Sequence, residues 1–426
     1  MQGRVSRPPR RSARTVYTVA PLLLALLAGG GCRRPENGQL QIHFMDVGQG
    51  DAAILISPRG ETVLFDDGPP SGCGHEIEYL RRLAVSRIDY LVVSHYHLDH
   101  IGCTQVVLGT LPLVRFAYDR GDVDARRTRS YSQYISALGP KRRTAQTGTT
   151  IVLDTATPNP ATIRIVALNG DGLESRDEND RSVVSMIEFG AFRAVMGGDL
   201  SGADAGGYTD VEARVAARVG PVDLYKVHHH CSSYSTNQFW LDALQPSVAV
   251  ISVGNGNSYG HPSPGCLNRL HARAVRTYWT EGGAGPPPTP RLDFVAGDLF
   301  VEVAPNASRF TVTHWGGKDR YPIRAAEAGR ASQALRLGNG APRTRPRSPQ
   351  PKPAITRPSA PDARAIGPCA QGEPVQLQQE GLVFVTPTGK KYHGPHCSYL
   401  TPDATAMPLS EALSKGLTPC SRCGGR

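Results

Sequence analysis

Residues 38–315 are expected to form an α+β domain of layered sheets. Three observations support this: short apolar runs with strand periodicity recur along the segment, few amphipathic stretches separate them, and several runs end abruptly in Gly, Asp or His. The chain of 426 residues is long enough for two or three domains, one with a sizeable core.

In chain order, LQIHFMDV, DAAILIS and TVLFDDG read as strands joined by glycine turns, HEIEYLRRLAV as a helix, and IDYLVVS as the next strand. TIRIVALN, SVVSMIEF, FRAVMGGD, VDLYKVH and VAVISVG follow as strands, with helices near TDVEARVAARV and PGCLNRLHARA. No internal repeat is present.

The two ends read differently. Residues 1–31 place five arginines and no acid before VAPLLLALLAGGG, the pattern of a secretory signal peptide, too short to span a bilayer comfortably. Cys32 follows at once, so the segment resembles a bacterial lipoprotein leader, with membrane attachment through a lipidated Cys32. GGGC departs from the usual Leu-Ala-Gly-Cys, which leaves an uncleaved anchor and free secretion open. The expected location is the cell envelope or the extracellular space. No other run approaches the roughly eighteen apolar residues of a membrane helix, so no transmembrane channel is expected.

A net charge of +10 invites a nucleic-acid reading, but its distribution argues otherwise for the core. Residues 316–426 hold 16 basic and 7 acidic residues, whereas 32–315 hold 26 and 30. The Ala, Pro, Arg, Gly and Ser composition of 316–370 cannot bury enough apolar surface to order itself, which marks a disordered, solvated linker. Beyond it, 371–426 reads as a small module. KKYHGPHCSYL and PCSRC supply His393, Cys397, Cys420 and Cys423, the ligand complement of a closed structural zinc, with a disulfide as the alternative. A segment of about fifty residues needs such a staple. Cys73, Cys103, Cys231 and Cys266 are scattered and could oxidise in an exported protein, with no pairing legible; Cys369 has no assigned role.

The chemistry concentrates in SHYHLDH, residues 94–100. At a strand end side chains alternate, so His95 and His97 point one way while the following turn offers Asp99 and His100. Imidazole and carboxylate without thiolate suit zinc, manganese or iron at a catalytic site. VMGGDL delivers Asp199, and LYKVHHHCSS more histidines, by the same strand-then-ligand layout.

The series FMDVGQGD, LFDDG, LVVSHYHLDHIG, ENDRSVVSMIEFG, GGDL, LYKVHHHCSS and ISVGNGNSYGHP resembles the metallo-β-lactamase superfamily, and within it the hydrolase domain of the ComEC competence proteins. That resemblance implies an αββα sandwich with two divalent metals, Zn or Mn, at one edge of the paired sheets. By the family pattern His95 and His97 hold the first metal, Asp99, His100 and His229 the second, and Asp199 bridges. Asp66 falls where the family orients a ligand histidine through its other ring nitrogen. Gln49 and Asp51 could line the same edge. His230 would face substrate as an acid or phosphate contact, although His228 could shift this register by one. His261 resembles a family position near the scissile group, a candidate acid or base.

Two departures stand out. No histidine occurs between residues 101 and 227, so the third histidine of the first metal is missing and water, Asn179 or Asp180 would fill in. Cys231 replaces a glycine in HHHCSS; it could ligate metal, form a disulfide or narrow the pocket.

The reading that follows is an exported metal-dependent hydrolase, a phosphodiesterase or nuclease acting on DNA through a metal-ionised water. DARRTRSYSQYISALGPKRR offers Arg126, Arg127, Arg129, Lys141, Arg142 and Arg143 with two tyrosines, a layout that could track phosphates and stack bases, or form a solvated amphipathic helix. The tail resembles small Ada-type metal modules ending some secreted nucleases. Alternatives are an envelope esterase for small phosphodiesters of the phosphorylcholine-esterase kind, or a lactamase or thioesterase, which would normally want the missing histidine.

Overall fold

In the computed structural model the first half of the domain alternates strands with helices: β1 (Leu40–Phe44), β2 (Ala52–Ile56), β3 (Thr62–Asp67), α1 (Cys73–Arg82), β4 (Ile88–Val92), α2 (Leu98–Ile101), α3 (Thr104–Thr110), β5 (Leu113–Asp119), α4 (Arg129–Leu138) and β6 (Arg142–Thr144). The second half follows as β7 (Thr150–Leu153), β8 (Ala161–Ala167), β9 (Val184–Phe189), β10 (Phe192–Met196), α5 (Val211–Val219), β11 (Leu224–Lys226), α6 (Gln238–Leu244), β12 (Val248–Ile251), α7 (Pro264–His271), β13 (Arg276–Trp279) and β14 (Asp293–Val295). β15 (Leu299–Val303), β16 (Arg309–His314) and β17 (Gly317–Pro322) close the domain. The structure describes residues 38–324 and, in the tail, 382–386, 389–393, 405–408, 412–413 and 415–420. The expected signal peptide, Cys32, Cys369, Cys397, Cys423 and the linker beyond Arg324 lie outside the described residues.

Two sheets result, in the orders β17-β16-β15-β1-β2-β3-β4-β5-β6 and β14-β13-β12-β11-β10-β9-β8-β7. Apolar residues of both inner faces, among them Leu40, Ile42, Phe44, Ile163, Ile187 and Phe192, form one core between the sheets. A second cluster lies where α1, α3 and α4 cover the first sheet, and a third where α5, α6 and α7 cover the second. The architecture is therefore the expected αββα sandwich. β1, β2 and β3 are buried on both faces; β2 accordingly reads as the continuous apolar run AAILI, whereas β1 alternates, with buried Gln41 and His43 on its second face.

Strand direction decides where chemistry can collect. β3, β4 and β5 run parallel, as do β10 through β14. In such sheets polar loops gather at the carboxyl ends of the strands. The loops after β3, β4, β10, β11 and β12 carry LFDDG, SHYHLDH, GGDL, HHHCSS and the segment reaching His261.

The domain runs past its expected end at residue 315. β17 pairs with β16 from Gly317↔His314 to Pro322↔Arg309, Ile323 is buried, and the Arg324 amide donates to Asp223 Oδ1 at 2.9 Å. GKDRYP hid this strand because it lies at the sheet edge, half exposed and polar. The four scattered cysteines pair as Cys73–Cys103 and Cys231–Cys266. The first joins α1 to the start of α3; the second ties the histidine loop to α7.

The tail forms its own four-stranded sheet from β18 (Leu382–Val385), β19 (Lys391–His393), β20 (Thr405–Pro408) and β21 (Thr418–Pro419), in the order β20-β18-β19-β21. β19 and β21 pair in parallel, and the Cys420 amide donates to the Tyr392 carbonyl at 2.9 Å. Two of the four expected zinc ligands, His393 and Cys420, are thus buried and adjacent along the sheet.

Phe192 of the second sheet meets Phe310 of the first edge to face, ring centroids 5.3 Å apart. Phe192→Ala should therefore cost about 3–5 kcal/mol, read in urea denaturation as a lower midpoint at unchanged slope.

Candidate metal centre

Asp199 is the hub. Gly197 and Gly198 deliver it from β10, and packing requires both glycines: a Cβ on Gly197 would lie 2.4 Å from His228 Nε2, and one on Gly198, at φ +51°, 2.3 Å from Ser94 Oγ. Asp199 Oδ1 lies 3.4 Å from His100 Nε2 and 3.5 Å from His230 Nε2. Asp99 Oδ2 completes this side, 3.3 Å from His230 Nε2 and 3.8 Å from His100 Nε2. On the other side, Asp199 Oδ2 is 4.0 Å from His95 Nε2, whose ring nitrogen stands 3.0 Å from His97 Nδ1. Two groups able to hold a cation, Asp99/His100/Asp199/His230 and His95/His97/Asp199, therefore share one carboxylate.

The donor sets fit divalent metal. Two ligands each about 2.1 Å from a tetrahedral ion stand roughly 3.4 Å apart, near the separations seen. His100 Nε2, His230 Nε2 and Asp199 Oδ1 are buried yet make no hydrogen bond. Buried polar atoms without partners are costly unless something binds them. Their other nitrogens are committed: Asp66 Oδ2 lies 2.8 Å from His100 Nδ1, and His230 Nδ1 donates to the Ser252 carbonyl at 2.9 Å. That leaves each Nε2 lone pair facing the site.

Electrostatics agree. Burial works against a proton on His230, but the carboxylates of Asp199 and Asp51 overcome it and raise the group to about 10. His100 is raised for the same reason, burial opposing and Asp199 with Asp99 outweighing it. On the other side, burial, with His100 and His97 adding to it, holds His95 well below the ordinary imidazole range. The Asp99 side thus draws positive charge, which a dication supplies without protons.

The sequence pattern puts His229 on the second metal and His230 towards substrate; the structure instead groups His230 with Asp99, His100 and Asp199 as residues that could hold a cation, while His229 Nε2 lies 3.8 Å from Asp199 Oδ2. The cause is backbone: His229, His230 and Cys231 have φ of 50°, 50° and 63°. Three successive left-handed residues turn the register by one. The Cys231–Cys266 disulfide, the His229 amide on the Gly198 carbonyl at 3.1 Å and the Ser235 hydroxyl on the His228 carbonyl at 2.8 Å hold this turn. Cys231 is thus neither ligand nor free thiol. His228 points away, paired with buried Glu212 at 2.7 Å.

Asp66 sits where expected: besides His100 it accepts the Ser94 amide and hydroxyl, both at 2.7 Å. Asp67, missed in the sequence, accepts the Cys103 amide and Thr104 hydroxyl and so anchors the start of α3. Asp51 pairs with the buried Lys226 ammonium at 2.8 Å, a link from the first sheet to the second. Gln49 lines the cleft and accepts the Gly254 amide at 3.1 Å. Of the two proposed substitutes for the missing histidine, Asn179 faces the cleft, its Nδ2 3.4 Å from His229 Nε2, whereas Asp180 caps the backbone amides of Arg176, Asp177 and Thr209. His261 lines the cleft beside the cluster; burial, with His230 and His229 adding to it, lowers it to about 3, so at neutral pH it is a neutral imidazole with one ring N–H and one ring lone pair.

The basic stretch does not reach the site. Arg142 is locked to Asp119 and Asp122, Lys141 bonds the Leu113 carbonyl, and Arg143 lies over the Phe116 ring and bonds the Pro140 and Arg142 carbonyls. Arg126, Arg127 and Arg129 are exposed, and none of the six lines the metal cleft. Its tyrosines, Tyr131 and Tyr134, are buried in α4, the amphipathic-helix reading. The cleft has a volume of about 500 Å³ and is bordered instead by Tyr208, Tyr234 and Tyr259, which come from three separate loops.

Comparison with known proteins points to one superfamily. The metallo-beta-lactamase superfamily model matches residues 46–255. ComE operon protein 3 of Bacillus subtilis is 24% identical over 258 residues, 57% of this chain and 32% of that one. Recombination protein 2 of Haemophilus influenzae is 27% identical over 236 residues, 54% and 26% of the two chains. Competence protein ComA of Neisseria gonorrhoeae is 27% identical over 269 residues, 61% and 34%. The chain thus spans only about a quarter to a third of these relatives' length.

Because raised His100 and His230 hold protons that a cation must displace, metal affinity should rise with pH through neutrality and uptake should release protons. Calorimetry in two buffers of different ionisation enthalpy checks this; buffer-independent heats would contradict it. Elemental analysis should show His230→Ala losing one metal equivalent and Asp199→Ala both.

Proposed function

This chain belongs to the metallo-beta-lactamase superfamily, and from that starting point we propose that it is an exported phosphodiesterase cleaving DNA. A metal-dependent hydrolase is what the fold and the His/Asp cluster provide; phosphodiester as the bond and DNA as the substrate are the proposed refinement. The observation that carries it is Asp199 presenting one oxygen to each of two ligand sets at the floor of an open cleft. Asp99, His100 and His230 on one side of Asp199, and His95 and His97 on the other, would hold two divalent ions, which when bound would supply Lewis acidity and lower the pKa of a water towards neutrality.

The chain's own residues do the rest. Asp66 and the Ser252 carbonyl fix His100 and His230 in the tautomers that leave Nε2 free. The Lys226–Asp51 pair holds the two sheet edges in register beneath them. His261, kept unprotonated, accepts a hydrogen bond from substrate or water. The relatives are named for competence and recombination, which favours DNA over other phosphodiesters. Two disulfides favour an oxidising compartment, hence export, whether as an envelope lipoprotein through Cys32 or secreted. No helix among the described residues is long and apolar enough to cross a membrane. In the tail, His393, Cys397, Cys420 and Cys423 would hold one structural zinc, giving a module tethered to keep nucleic acid near the enzyme.

The direct test offers single-stranded DNA, bis-p-nitrophenyl phosphate and nitrocefin to the protein with manganese or zinc. Hydrolysis of both phosphodiesters is expected; turnover of nitrocefin alone would overturn the proposal. Asp66→Asn should lower phosphodiesterase activity about 10- to 100-fold through the loosened His100.

A further inference from the structure

Five rings line the cleft in an unbroken band. Tyr234, Tyr208, His229, His261 and Tyr259 follow one another with centroids 5.2, 5.6, 5.6 and 5.6 Å apart. The band borders the metal-binding cluster, since His229 and His261 lie beside the ligand His230. Its two ends are open to solvent: Tyr259 is 69% exposed and Tyr234 37%. Neither is core packing, yet both are held in place. A Cβ on Gly206, at φ +65°, would lie 2.7 Å from the Tyr234 ring, so the bare glycine backbone forms that ring's seat. The Asn257 carboxamide oxygen accepts the Tyr259 amide at 3.2 Å and the His261 amide at 3.0 Å, and its Nδ2 donates to the Gly254 and His261 carbonyls, which fixes the second platform.

What the cleft lacks is as informative. Among the described residues no lysine or arginine lines it, while the carboxylates of Asp99, Asp177 and Asp199 do. A polymer's flanking phosphates therefore find no cationic track here; beside the metals the cleft offers aromatic rings and the neutral polar groups of Gln49, Asn179, Ser232, Ser233 and Ser263. Base–aromatic stacking is tolerant of sequence because every base has a π face, but a base inside a duplex has both faces covered by its neighbours.

We propose that this band is a stacking platform for unpaired nucleobases beside the scissile phosphodiester, so that the substrate class is single-stranded or terminal nucleotides rather than duplex. The inference rests on the phosphodiesterase reading and adds to it what recognises the substrate. Tyr259 and Tyr234, at the two ends of the band, are then specificity-determining residues that contact the bases on either side of the scissile phosphate, while the metals engage the phosphate.

The test uses the full-length, metal-loaded protein and two substrates, a thymidine dinucleotide and its analogue with one base replaced by an abasic sugar. The ratio of their kcat/KM values isolates the contribution of the base. Wild type should favour the base-bearing substrate by about tenfold or more. Tyr259→Ala or Tyr234→Ala should bring that ratio towards one, Tyr259→Phe should keep it, and single-stranded DNA should be cut at least about tenfold faster than duplex. Equal rates on the two dinucleotides, or a ratio untouched by either alanine variant, would overturn the platform while leaving the phosphodiesterase reading intact. Failure to cut either dinucleotide, with nitrocefin turned over, would overturn both.

Discussion

One carboxylate organises this protein's chemistry. Asp199 holds one oxygen towards His100 and His230 and the other towards His95 and His229, all within 4.0 Å and nearly all buried. Such a density of buried acid and imidazole is expensive unless a compensating charge is present. Everything around it serves to keep these groups together. Two glycines let the Asp199 strand end slip beneath Ser94 and His228, Asp66 ties the β3 and β4 loops, and Asp51–Lys226 crosses between the sheets.

The sandwich explains why these distant segments meet. Parallel strands in both sheets end at one edge, so the five motif-bearing loops emerge side by side. The inter-sheet core around Phe192 and Phe310 sets the sheets against each other. Disulfides brace two places: the start of α3 after SHYHLDH, and the left-handed run at His229, His230 and Cys231. A non-glycine residue in that conformation costs roughly 1–2 kcal/mol, which the bond to Cys266 helps to offset.

Much of this was legible in the chain. The strands announced themselves because double burial demands unbroken apolar runs, and Asp66, His95, His97, Asp99, His100 and Asp199 did so because glycine turns and strand ends surround them. The grouping of His230, rather than His229, with Asp99 and His100 was not, since it depends on three positive φ angles that no spacing reveals. The arginine-rich stretch misled for a different reason: charge count cannot show that Arg142 is already neutralised by Asp119 and Asp122. The tyrosine band was invisible because its members are contributed by loops remote in sequence. β17 escaped because an edge strand need not be apolar.

The central claim is that two cations flank Asp199. Anomalous diffraction from crystals grown with manganese tests it most directly. The account predicts two peaks about 3.5–4 Å apart, one on each side of that carboxylate, with His230 sharing its peak with Asp99 and His100. A lone peak elsewhere, or His229 taking the place of His230, would contradict it.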